Sequence, residues 1–296
     1  MRKYVFISLI LFLTACSTSS KKGGTSNVSQ DQNDISSESL IEDSSAEKSG
    51  KTSEKNKIQA TQRDNLKSEK NTSDPSNLYS QLNTFIKQQN EVAILDEGSK
   101  ILMKKPNDTK ALNAMAMVYY KRAQYGLAKD LLYKAIKFQP TYEVYSNLGI
   151  VYLATKEQTE ALQSFKKAIE LNPDDNVSAT NAGSIYIKEH DYDKAVVALE
   201  IPYKKGIRDY RILNNYAVAL TAQGKYEQAE SVYKEALKQS SNSRELLLNY
   251  SILLIDQLKR YQDGLDIIQK LKFIGLPDGA RSKVQELEYI ARKERK

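Results

Sequence analysis

Apolar residues in this chain recur at helical spacing from about residue 75 to the end, and not between residues 17 and 74. Beyond Pro75 they fall at i, i+3, i+4 and i+7, the pattern of a helix with one buried face, in pairs of stretches joined by short turns. The pairs themselves repeat. Tyr145, Leu148, Gly149, Tyr152, Ala161, Phe165, Ala168 and Pro173 have counterparts one period further on in Ala179, Ala182, Gly183, Tyr186, Ala195 and Leu199, shifted by 34 in number. A further step of the same length gives Leu213, Tyr216, Ala217, Leu220, Ala229, Tyr233 and Ala236. A step of 33 back from the first copy leads to Leu112, Met115, Ala116, Tyr119, Ala128, Leu132, Ala135 and Pro140. Leu78, Phe85, Ile94, Ile101 and Pro106 mark a degenerate copy ahead of these, and residues 244–277 make a sixth, with one extra residue expected in its turn. The spacing predicts helix pairs at 75–108, 109–141, 142–175, 176–209, 210–243 and 244–277, then a charged capping helix within 278–296 that covers the last apolar face. Small residues fall where paired helices approach, and Pro106, Pro140 and Pro173 end second helices.

This order of a large residue, Leu, Gly, Tyr, Ala, an aromatic, Ala and Pro resembles the tetratricopeptide repeat. The resemblance implies an all-α fold over residues 75–296: a right-handed solenoid of antiparallel helix pairs whose concave groove holds protein ligands. It also implies a protein-binding scaffold and no enzyme.

The N-terminus reads as an address. Arg2 and Lys3 precede an apolar run from Tyr4 to Leu13, then Thr14, Ala15 and Cys16, so residues 1–15 are expected to be a signal peptide. Its apolar run is about half of the ~20 residues that a membrane-spanning helix needs. Leu13, Thr14, Ala15 and Cys16 resemble the bacterial lipobox, which implies that Cys16 is acylated and becomes the mature N-terminus. Ser17 in place of aspartate resembles cargo sorted to the outer membrane, facing the periplasm. From Ser17 to Asp74 the chain is polar, without an aromatic residue, and predicts a disordered tether with an r.m.s. span of ~40 Å.

Composition narrows the chemistry. One cysteine and one histidine disfavour disulfides and most metal sites, and no cofactor or small-molecule substrate is expected. The net charge of +7 is spread among interspersed lysines and glutamates, which argues against nucleic acid. The expected partners are proteins of the cell envelope, with the membrane reached through the lipid. The alternative class is a structural assembly factor, such as a secretin or pilus pilotin or a motility-complex component, which the layout of lipobox, tether and repeats resembles.

Candidate binding residues follow from face geometry. Asn147, Asn181, Asn215 and Asn249 recur once per period on the first helix of each pair, on the face that lies inside the groove in tetratricopeptide proteins. An amide can donate to and accept from one peptide unit, so the ladder suits an extended backbone; the other reading is hydrogen bonding within the repeats. Asn113, Tyr120, Lys121, Ile150, Ser184 and Lys188 share that face. His190 occupies the turn position that Gly224 fills in the next repeat, where positive φ is needed. Asp174 with Asp175, and Asp191 with Asp193, fall at helix starts and read as caps. Pro202 stands where the other repeats carry alanine. It is expected to break or kink its helix, either opening a docking notch at Ile201, Pro202 and Tyr203 or adjusting the superhelix.

Overall fold

The computed structural model describes residues 78–295, so the signal peptide, Cys16 and the tether lie outside the described residues. Among the described residues there are thirteen α-helices, one π-helical turn and no strand. They divide after Pro173 into two compact units, each an array of antiparallel helix pairs. The N-terminal unit holds α1 (Ser80–Lys87) with α2 (Glu91–Lys104), α3 (Thr109–Lys121) with α4 (Tyr125–Phe138), and α5 (Tyr142–Ala154) with α6 (Gln158–Leu171). The C-terminal unit holds α7 (Asn176–Lys188) with α8 (Tyr192–Lys204), α9 (Tyr210–Ala222) with α10 (Tyr226–Gln239), α11 (Arg244–Ile252) with α12 (Tyr261–Ile274), and the cap α13 (Arg281–Glu294).

Local chemistry sets the boundaries. Each first helix from α3 onward opens on a side chain that accepts from its own first-turn amides: Asp108, Thr141, Asp175, Asp209 and Ser243, spaced by 33 or 34. Asp191 caps α8 in the same way. Within each pair the turn needs one residue in the left-handed region, and Gln89, Ala123, Lys156, His190, Gly224 and Lys259 all take it. His190, at φ 60, therefore serves the turn as the sequence predicts, and its Nδ1 lies 2.9 Å from the Tyr192 hydroxyl.

The pairs close by fitting large residues against absent ones. A Cβ built on Gly149 would meet the Phe165 ring at 2.5 Å, and one on Gly183 would meet Leu199 Cγ at 2.5 Å. Ala128, Ala161, Ala195 and Ala229, fully buried, occupy the matching small position on the second helices. The C-terminal unit adds a continuous core from Leu199, Leu213, Tyr233, Leu247, Leu253, Ile268 and Leu287.

Two expectations are corrected. The extra residue of the sixth repeat does not lengthen the turn but is absorbed inside the first helix. The cap at Ser243 keeps the spacing of 34 while the positive-φ residue slips to Lys259, 35 after Gly224, and between them Leu253–Gln257 form the π-turn. Leu258 N–H donates to Leu253 O at 3.0 Å, the wider ring that stores one added residue without breaking the apolar stripe. Second, Pro202 does not break its helix: α8 continues through it to Lys204. The missing N–H deprives only the carbonyl of Ala198, and the helix then ends within its next turn. Gly206, at φ 79, donates to Tyr203 O, and Ile207 donates to Pro202 O, both at 3.1 Å, which is a Schellman finish.

The capping helix lacks the surface on which a second helix packs in the repeats. Ala280, Val284 and Leu287 of the capping segment repeat the buried positions of Val144, Leu148 and Val151 at multiples of 34. The positions that face a partner helix in the third repeat, Tyr145, Gly149 and Tyr152, become Arg281, Gln285 and Glu288. A second helix could not approach Gln285 as closely as α6 approaches Gly149.

Candidate functional site

The asparagine ladder is a set of ties between successive first helices. In the N-terminal unit Asn147 Nδ2 donates to Asn113 Oδ1 at 2.8 Å. In the C-terminal unit Asn215 Nδ2 donates to Ser184 Oγ at 3.2 Å, and Asn249 Nδ2 to Asn214 Oδ1 at 3.1 Å. Asn181 bonds within its own helix, to Val177 O at 2.9 Å. The spacing continues one step beyond what the asparagines mark. One period after Asn249 stands Lys283, only 6% exposed, which donates to Asp256 Oδ2 of the π-turn at 3.2 Å and to Glu286 at 3.1 Å. Lys283 is thus the last rung, with an ion pair where the others use amides. A buried ammonium is tolerable only because two carboxylates satisfy it. Extending the period past the last asparagine would have found it in the sequence.

The remaining groove candidates divide by accessibility. Asn147 and Ile150 are 4% and 2% exposed, which removes both from any ligand surface; the buried Asn147 Oδ1 has no hydrogen-bond partner. Asn113 is half-buried and spent on Asn147. Tyr120 is half-buried with its ring 6.0 Å from that of Tyr125, and Lys121 is exposed, 3.5 Å from Gln89 Oε1. In the C-terminal unit Asn181, Ser184, Asn215 and Asn249 are half-buried and Lys188 is exposed. Asn181, Asn215 and Asn249 each commit one amide N–H, so each keeps its carbonyl and its second N–H for another partner.

The expected notch is filled. Pro202 is buried and Tyr203 packs on Tyr216 with ring centroids 5.1 Å apart. Tyr203 Oη donates to Glu235 at 3.0 Å, and the Arg208 guanidinium lies over the Tyr203 ring, 4.5 Å from its centroid, while pairing with Glu235 at 3.0 Å. Ile201, Pro202 and Tyr203 offer no open slot; the Schellman turn carries Arg208 back to close it.

Among the described residues no three His, Cys, Asp or Glu gather as a metal site, and no helix is long and apolar enough to cross a membrane.

Comparison with known proteins agrees with this architecture. Tetratricopeptide-repeat models match residues 142–175 and 220–281. Tetratricopeptide repeat protein 21B of Mus musculus is 26% identical over 157 residues, 53% of this chain and 12% of the mouse protein. BBSome complex member BBS4 of Bos taurus is 20% identical over 183 residues, 62% of this chain and 34% of the bovine protein. The matched part thus spans about a tenth to a third of these relatives. Among solved structures, YrrB, described as a tetratricopeptide protein with an unusual peptide-binding site, superposes with a TM-score of 0.57 at 18% identity, covering 66% of this chain and 97% of YrrB. MamA (AMB-1) superposes with a TM-score of 0.50 at 21% identity, covering 55% of this chain and 96% of MamA. The helix pairs within residues 142–175 and 220–281 match tetratricopeptide repeats, and repeats of this kind are scaffolds for protein–protein interaction.

Proposed function

We infer that this chain is a lipid-anchored adaptor, acylated at Cys16 in the outer membrane and facing the periplasm, that binds an extended segment of another envelope protein on the first-helix face of its C-terminal unit. The observation that carries the binding part is the polar remainder of that face. After packing and ties have taken their share, Asn181, Ser184, Lys188, Asn215 and Asn249 still reach solvent from three successive first helices. Extended backbone, with alternating donors and acceptors, suits such a row of half-spent amides. The peptide-binding site ascribed to YrrB, which shares the fold, supports the same use of the repeats. Support for the anchor comes from residues 13–16 alone, where Cys16 directly follows Leu13, Thr14 and Ala15.

Membrane fractionation with co-purification tests both parts. The wild-type chain should sediment with membranes and bring a protein partner with it. Cys16→Ser should move the chain to the soluble fraction or leave it unprocessed while it retains the same partner. Continued acyl labelling of Cys16→Ser would rule out the anchor, and recovery of both forms without any partner would rule out the adaptor.

A further inference from the structure

At the closing end of the C-terminal unit, α12 and α13 run antiparallel with an open groove of about 650 Å³ between them. Lys272 and Glu288 face each other across the pair at 3.1 Å, so the residues that follow them, Phe273 and Tyr289, project to one common side by helical geometry. Both are solvent-exposed, Phe273 at 92% and Tyr289 at 67%. Each has a lysine one turn away on its own helix, Lys270 before Phe273 and Lys293 after Tyr289, and neither lysine is engaged in an ion pair among the described residues. The surrounding segment is basic as a whole. Residues 259–296 contain ten Lys and Arg against six Asp and Glu, an excess of four within a chain whose total excess is seven.

We propose that this end of the molecule is a membrane-contact surface, in which Phe273 and Tyr289 enter the headgroup layer of an anionic bilayer and Lys270 and Lys293 pair with lipid phosphates. Anchoring residues of protein interfaces sit in enclosed pockets, whereas these two aromatics stand clear of any wall, each beside a cation. That arrangement is the one that interfacial membrane contacts use. Of the two carboxylates that line the groove, Glu288 is neutralised by Lys272 and Arg292, and Asp266 accepts from Gln262 Nε2 at 2.8 Å. The proposal rests on the membrane attachment inferred above, because only a chain held near a bilayer would meet this surface often; it would lay the C-terminal unit down on the membrane.

The test is flotation of the chain from residue 16 onward, carrying Cys16→Ser so that neither leader nor acyl group contributes. The vesicles are pure phosphatidylcholine or phosphatidylcholine with phosphatidylglycerol. Binding should be specific to the anionic vesicles and weaken with salt. Lys270→Gln with Lys293→Gln should reduce it about 25-fold, at roughly fivefold per lysine. Phe273→Ser with Tyr289→Ser should reduce it at least as far, with an unchanged melting temperature because both side chains are exposed. Equal binding to both vesicle types, or variants that float like the parent, would overturn the proposal. No protein partner or acyl chain enters the flotation, so its failure leaves the adaptor and the Cys16 anchor standing.

Discussion

Replacing Gly149 by alanine should destabilise the N-terminal unit by about 1–3 kcal/mol, although the same change in an open helix stabilises. The added Cβ would lie 2.5 Å from Phe165 Cε1, 2.7 Å from Cδ1 and 2.8 Å from Cζ, distances at which a ring held at zero exposure must move. Gly126 is the control. It lies in α4 with nothing within 4 Å of an added Cβ, so Gly126→Ala should gain up to about 0.5–1 kcal/mol from helix propensity alone. Two Gly→Ala substitutions in one unit should therefore shift the thermal midpoint in opposite directions, Gly149→Ala downward by several degrees. Adding Phe165→Leu should recover part of the loss, since the second repeat already combines Ala116 with Leu132 at these positions, both fully buried. A Gly149→Ala protein that melts at or above wild type would show that the helices do not approach as described.

Alkali should unfold the protein over a narrow interval above pH 10. Burial and hydrogen bonding hold several tyrosine hydroxyls protonated well past their ordinary value near 10. The Asp108 carboxylate that accepts the Tyr79 hydroxyl pushes it up to about 12, and burial pushes Tyr250 up to about 12. Burial also raises Tyr152, Tyr186, Tyr192, Tyr203, Tyr216 and Tyr233. A folded-state value above the unfolded one contributes stability that is complete below pH 10 and is lost as pH rises toward 12, because the unfolded chain ionises first. For buried Tyr250, the rise from 10 to about 12 corresponds to about 2.7 kcal/mol. Each raised tyrosine favours the unfolded chain once that chain ionises, so folding should fail before the last of them titrates. Phenolate absorbance followed together with helicity checks this: the share of the absorbance change that belongs to these eight tyrosines should come in the same cooperative step as the loss of helix. Gradual ionisation centred at pH 10 with helicity retained would contradict the burial of these rings.

The repeat boundaries were legible because every copy spends its residues alike. Caps at Asp108, Thr141, Asp175, Asp209 and Ser243, and the prolines after the second helices, punctuate the chain at nearly constant intervals. Departures from the period were harder to place. The added residue of the sixth repeat could not be assigned to a turn or a π-turn from spacing alone, because either keeps the apolar stripe in phase. Pro202 misled because a helix-breaking residue was weighed by its intrinsic cost, without the nearby Gly206 that ends the helix anyway. The candidate site was legible as a face and not as a set of partners. Asparagines at a constant interval reveal that one position matters in every repeat; only coordinates reveal that Asn147 reaches Asn113, that Asn249 reaches Asn214 and that Lys283 takes over the role in the cap.

That the first-helix face of the C-terminal unit receives a protein segment can be tested most directly by photocrosslinking in cells. A crosslinking amino acid would replace Lys188, exposed on α7, or Val197, exposed on α8 of the same pair. The account predicts one defined envelope protein captured from position 188 and none from position 197. Capture from position 197 alone, or the same mixture from both positions, would contradict it.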